Sequence, residues 1–181
     1  MRKKKPASGD KHPPPKNSRS SRRSAEGSTL GSFPSDWFTL LRLFARSCVR
    51  FFLVGAHFLA VHGIPRATVD LDLFVEPSLV NAKKLAKAVR EFGFSDLADA
   101  IPDVMSKGRG MFRMGVEPLR IDVMNAIDGV SFARAWSGAM RIELEGEVLF
   151  ALGLRELRAN KKKAGRLRDL ADLESIDRLL R

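Results

Sequence analysis

Of the 181 residues only one is cysteine and three are histidine. The lone Cys48 rules out an intrachain disulfide and makes a reducing cytoplasm the expected compartment. A single thiol among apolar neighbours is expected to fill core space rather than act as a nucleophile. Histidine offers no metal site: His12 sits near the start of the chain, and His57 and His62 are five apart on a predicted helix, on different faces. Long apolar runs are missing too. The run at 51–60 is too short to cross a bilayer and contains Gly55 and His57. It lies too far into the chain for a secretory signal, and no cleavage-type site of small residues follows it. No internal repeat is present.

Apolar residues are scarce in one segment, 1–35. It holds nine Lys/Arg against two acids, five prolines and eight serines, with Leu30 and Phe33 as its large apolar residues after Met1. Such a stretch cannot bury enough apolar surface to offset the entropy of ordering, so a disordered basic tail is expected there. That tail is either a loose electrostatic hook for a polyanion such as nucleic acid or a non-functional extension. It carries +7 of the +11 net charge, which leaves the remaining residues only mildly basic. Residues 36–181 are long enough to bury about two-thirds of their unfolded surface as one domain.

Within that domain, Pro34-Ser35-Asp36 starts a helix whose Trp37, Leu40, Leu41 and Phe44 recur at helical spacing. A strand at 51–54 turns at Gly55 into a helix at 56–62, and a second strand runs through RATVDLDLFV. An amphipathic helix spans 81–92, with Leu85, Ala88, Val89 and Phe92 inward. Pro102, Gly108 and Gly110 make 95–110 an expected irregular excursion. Strands follow at 111–116 and 119–124 around a tight turn at Glu117-Pro118. Next come a turn at Asp128-Gly129, a short helix at 132–136 and a hairpin around Gly146. Helices at 153–160 and 167–180 flank the basic run KKKAGR. The order predicts an α+β fold: a small mixed sheet with helices packed mainly on one face.

The chemistry-bearing residues are Asp70 and Asp72. Side chains two apart on a strand share a face, so both carboxylates project together while Leu71 and Leu73 point away. Like charges that close resist ionising together unless a cation sits between them. Asp122, in LRIDVMN, is a third carboxylate on a predicted strand. If the two strands are neighbours, three hard oxygen donors converge, a set suited to Mg²⁺ or Mn²⁺ rather than Zn²⁺. Three acids suffice for two ions about 4 Å apart, the arrangement that clamps the oxygens of phosphoryl transfer. Strand acids facing solvent are the bland alternative, and Arg120, two before Asp122 on the same face, is a counter-ion that could replace a metal. A glycine ending a strand before a helix, as in FFLVGAHFLAVHG, lets backbone approach a phosphate closely.

Taken in order, VGAHFLAVHGIPRATVDLDLFV, RIDVMNAIDGV and NKKKAGRLRDLADLE resemble the nucleotidyltransferase superfamily of DNA polymerase β type. The likeness is to its small bacterial members, the AbiEii-like toxins and minimal nucleotidyltransferases. It implies Mg²⁺-dependent transfer of a nucleoside monophosphate from an NTP to a hydroxyl of RNA, protein or a small molecule, with pyrophosphate released. Asp70 and Asp72 would be the metal-binding pair and Asp122 the third carboxylate, which lowers the acceptor hydroxyl's pKa. Gly55 and Ala56 fall on the turn that holds the triphosphate, with alanine where better-studied members carry serine. Arg66 and Thr68 could reach phosphate oxygens, and Lys161 falls on the lysine of a Lys-x-x-x-Gly-Arg-x-x-Asp pattern that could neutralise the triphosphate. The AbiEii-like members imply a toxin–antitoxin pairing with a small regulator. The alternative is a catalytically degenerate module of the same fold that binds a nucleotide or partner. Lys161 at a helix end also has a purely structural reading, since cations favour that end. Arg166 and Asp169, three apart, are expected to pair, and Asp128 to be a turn residue.

Overall fold

In the computed structural model, residues 33–64 and 69–181 are described. The expected tail therefore falls almost wholly outside the described residues, as do Arg66 and Thr68. The described residues form seven helices and six strands: α1 (Ser35–Arg46), β1 (Phe51–Val54), α2 (Gly55–Val61), β2 (Asp70–Val75), α3 (Leu79–Glu91), α4 (Ser95–Ser106), β3 (Met111–Met114), β4 (Arg120–Met124), α5 (Phe132–Ser137), β5 (Met140–Leu144), β6 (Glu147–Ala151), α6 (Leu154–Ala164) and α7 (Leu167–Leu179). None of these helices is long and apolar enough to cross a membrane.

The strands make one mixed sheet in the order β3-β4-β2-β1-β6-β5. β2 runs parallel to β4 and antiparallel to β1, and β1 meets β6 in parallel. The edge pairs β3–β4 and β5–β6 are antiparallel. β5 and β6 are joined through Glu145 and Gly146, both at positive φ (48° and 82°), the backbone that a two-residue hairpin turn requires. The mixed sheet and its helices match the α+β expectation.

Pleating sorts the sheet into two faces. Leu71, Leu73, Ile121 and Val123 join Leu53 in the core cluster with Trp37 and Leu41 of α1 and Leu85 and Val89 of α3. The opposite face carries Asp70, Asp72 and Asp122. Beyond Asp72 on that face, Phe52 pairs with Phe74, and Phe132 of α5 packs on both at ring separations of 5.0 and 5.2 Å. One end of this face is thus closed by aromatic rings, and the aspartates lie beyond them.

Two expectations are corrected. The segment 95–110 is not irregular: most of it is α4, with Pro102 inside the helix. An interior proline removes a backbone hydrogen bond and costs roughly 3 kcal/mol. That penalty is offset by burial of Ala98, Ile101 and Met105, spaced on one face. Buried Asn125 then fastens the end of α4 to β4: its side chain donates to Met105 O (3.1 Å) and accepts from Gly110 N (2.7 Å). Gly110 is required there because a Cβ would come within 2.0 Å of Val104 O. Cys48, expected in the core, is exposed. It sits just past α1 at φ 53°, and that left-handed turn carries its side chain outward.

Candidate functional site

Register across the central strands sets out the site. Asp72 on β2 stands opposite Asp122 on β4, and on its other side opposite Val54 of β1. Asp122 in turn stands opposite Arg113 of the edge strand β3. Paired residues on adjacent strands share a face about 4.8 Å apart, so Val54, Asp72, Asp122 and Arg113 form one row. One pleat back, Asp70 stands opposite Arg120, a second row on the same face. The parallel β2–β4 pairing therefore brings the three predicted carboxylates, 52 positions apart at the widest, onto one patch of sheet.

Their environments differ. Arg113 grips Asp122 through two bonds, Nε to Oδ1 at 2.6 Å and Nη2 to Oδ2 at 2.9 Å. Arg120 hydrogen-bonds Asp70, and its Nε lies 4.0 Å from Asp122. Asp72 has no comparable arginine among the described residues. Burial pushes its carboxyl up to about 6, and the negative charges of Asp122 and Asp70 add to that rise; Lys161 and Arg166 oppose it from further away. Asp72 is thus the point where negative charge on this face is least compensated. Among the described residues no group of three His, Cys, Asp or Glu side chains is gathered closely enough to hold a metal ion, and the outer two carboxylates are each paired with an arginine. In donor chemistry the trio fits a hard divalent cation, being all carboxylate oxygen. In arrangement it fits only once Arg113, half exposed on its edge strand, releases Asp122.

Gly55 sits against Asp72. At φ 76° it begins α2, and a Cβ built there would lie 2.1 Å from Asp72 Oδ2. Glycine is demanded twice over, by the left-handed backbone and by the carboxylate filling the side-chain space. The turn that the sequence marked as phosphate-holding therefore closes directly over the carboxylate expected to hold metal, with Ala56 as the next residue.

Lys161 of α6 does not stand free. It is buried between Asp169 and Asp172 of α7, each at 2.8 Å. Burial of Asp169 works against its ionisation, but hydrogen bonds from Lys161 and Arg166 win and hold its carboxyl below the usual range. The expected Arg166–Asp169 pair is present at 2.9 Å. Asp128 is a turn residue as expected, within the Ile127–Val130 bridge, and it also pairs with Arg109 at 2.9 Å. His62 is half-buried, with Nε2 3.4 Å from Leu152 O, a packing residue.

Sequence reasoning missed Arg113, Asp172 and the contact of Asp169 with Lys161. Their partners are fixed by strand register and helix docking, neither of which leaves a local pattern; only the acidic spacing in LRDLADLE hinted at the second pair.

No family model matches the chain, and no curated protein matches it. Among solved structures, a "putative nucleotidyltransferase" from Thermotoga maritima is similar at 17% identity and a TM-score of 0.48, covering 77% of this chain and 91% of that one. The likeness is distant, and the case for the site stands on its own side chains.

Proposed function

We propose that the chain is a nucleotidyltransferase that moves a nucleoside monophosphate from an NTP to an acceptor hydroxyl with release of pyrophosphate. The observation that carries this reading is Asp72: a half-buried carboxylate facing Asp122 across paired strands, with its pKa raised to about 6 and a glycine turn closed over it. Burying an anion beside two others is unfavourable unless a positive ligand completes the site. Asp70, Asp72 and Asp122 would hold Mg²⁺ or Mn²⁺, which when bound supplies charge neutralisation at the transferring phosphate. Arg166, paired with Asp169 yet largely exposed, is close enough to influence Asp72 and could meet a phosphate at the rim. Asp122 would act as the third carboxylate once freed from Arg113. The small-regulator pairing implied by the AbiEii-like resemblance belongs to this proposal and is read by co-purification.

The test combines transfer with binding. Labelled NTP, Mn²⁺ and cell extract should yield a labelled macromolecule with the wild-type chain and none with Asp72→Asn. Binding of NTP without transfer of any of the four nucleotides rejects the catalytic reading. One observation favours the rival, a degenerate nucleotide- or partner-binding module: the two-bond grip of Arg113 on Asp122 already neutralises a carboxylate that catalysis needs. Arg113→Gln separates the two. It should tighten Mn²⁺ binding measured by calorimetry if Asp122 is a metal donor, and leave it unchanged if Asp122 is only an ion-pair partner.

A further inference from the structure

Helix α6 has two charged faces, and the site uses only one of them. Lys161 turns inward to Asp169 and Asp172. Arg155, Arg158, Lys162 and Lys163 line a separate open groove of about 540 Å³, whose other wall is Arg134 of α5. Ala159 is the sole apolar residue of that lining. Two nearby carboxylates answer part of this charge: Glu156 lies 3.6 Å from Arg134, and Asp177 is held by Arg158. Arg155, Lys162 and Lys163 make no ion pair among the described residues, and all three are exposed.

Clustered cations repel one another, and a concave surface concentrates their field, so the groove favours a polyanion. Three of its five charges are arginines, whose planar forks match phosphate oxygens in pairs. Apart from Ala159, the apolar surface of the groove is the carbon stems of its own arginines and lysines, so it offers no large apolar side chain to seat a lipid tail or a peptide side chain. Arg155 to Lys162 covers about 10 Å of helix, more than one phosphate spacing of a nucleic-acid strand. The groove shares α6 with Lys161, whose charge reaches Asp72. The loop that leaves β4 just after Asp122 is pressed on α6, with Asn160 Nδ2 donating to Asp128 O at 2.9 Å. At Gly129 a Cβ would come within 3.0 Å of Ala159 O and Lys163 Cβ. A strand lying in the groove therefore passes one helix width, about 10 Å, from the face that Lys161 occupies.

We propose that the groove between α5 and α6 binds the phosphate backbone of a nucleic-acid strand. This deepens the transfer reading by naming its acceptor, and rests on that reading for the acceptor role alone. The binding itself is tested without chemistry, by fluorescence anisotropy of a labelled 12-nucleotide RNA with the full chain across a salt series. Arg155→Gln with Lys162→Gln should weaken binding on the order of tenfold and flatten the log–log salt slope by about 1.4, as two lost phosphate contacts on a single strand require. Arg134→Gln with Lys163→Gln reads the same groove from both walls and should act alike. Wild-type affinity and slope in both groove variants overturn the proposal, as does displacement of the RNA by polyglutamate at lower charge concentration than by unlabelled RNA. RNA binding that follows this pattern in a chain that transfers no nucleotide leaves the groove standing and removes only the catalytic reading.

Discussion

At Asp72 the same burial that makes a site also destabilises the fold. The carboxyl titrates near its ordinary value of 3.8 in the unfolded chain and near 6 in the folded one. A raised folded value means that the native state holds the proton more tightly. The associated stability is fully present below about pH 4 and is lost as pH rises through 6, so it is absent at pH 7. Two units correspond to on the order of 2 to 3 kcal/mol. Asp72→Asn keeps an uncharged polar group and removes this slope. In urea denaturation at pH 4.5 and pH 7.5, the wild type should lose more stability across the interval than the variant, and the variant should be the more stable at pH 7.5. Equal slopes would mean that Asp72 is better solvated than its burial implies. At this scale the sequence was readable where period two applied: Asp70 and Asp72 alternate with core leucines, and their shared face follows from that alone. The grip of Arg113 on Asp122 was not readable, because it depends on which residue of β3 lands opposite Asp122, and register leaves no local trace.

Among the elements, the junction of α6 with α7 carries the most buried charge. Gly165, at φ 63°, ends α6 in the left-handed conformation typical of a helix terminus, and α7 starts at once. This close reversal lets Lys161 reach both Asp169 and Asp172, whose side chains are 3% and 7% exposed. Removing the lysine alone would take from two buried carboxylates the cation that they share, a loss of roughly 3 to 5 kcal/mol. Lys161→Met should therefore lower the denaturation midpoint sharply, and adding Asp169→Asn and Asp172→Asn should recover most of the loss. If Lys161→Met instead leaves stability intact and weakens nucleotide binding, the lysine serves the triphosphate as the resemblance implies. Helices were legible where an apolar stripe met ordinary breakers, as in α1 and α3. α4 was not, because Pro102 and two nearby glycines argue locally for a loop. The stripe of Ala98, Ile101 and Met105 gains its energy only by packing within the core, beyond the reach of local pattern.

For the whole molecule, strand order was the hidden quantity. The aspartates belong together only because β2 and β4 run side by side in parallel, with α3, α4 and β3 intervening in the chain. A mixed sheet could be expected from the element sequence; its order could not, since several orders bury the same leucines. That order has a thermodynamic consequence for ligand binding. The acidic face repels a triphosphate, and a triphosphate alone offers Asp72 nothing, so nucleotide and divalent cation should bind cooperatively. Ligand that binds only the folded chain raises stability by about 2.7 kcal/mol at a hundredfold excess over its Kd. For a chain of this size each kcal/mol moves the midpoint by about 2 to 4 °C, so Mn²⁺ with NTP should raise Tm by about 5 to 10 °C. NTP with chelator, or Mn²⁺ alone, should give a small fraction of that, and Asp72→Asn should abolish the joint effect. A full shift from NTP in chelator would instead mean that Arg113, Arg120 and Arg166 hold the phosphates themselves. The acidic rows would then serve to position those arginines, and the protein would bind nucleotide without transferring it.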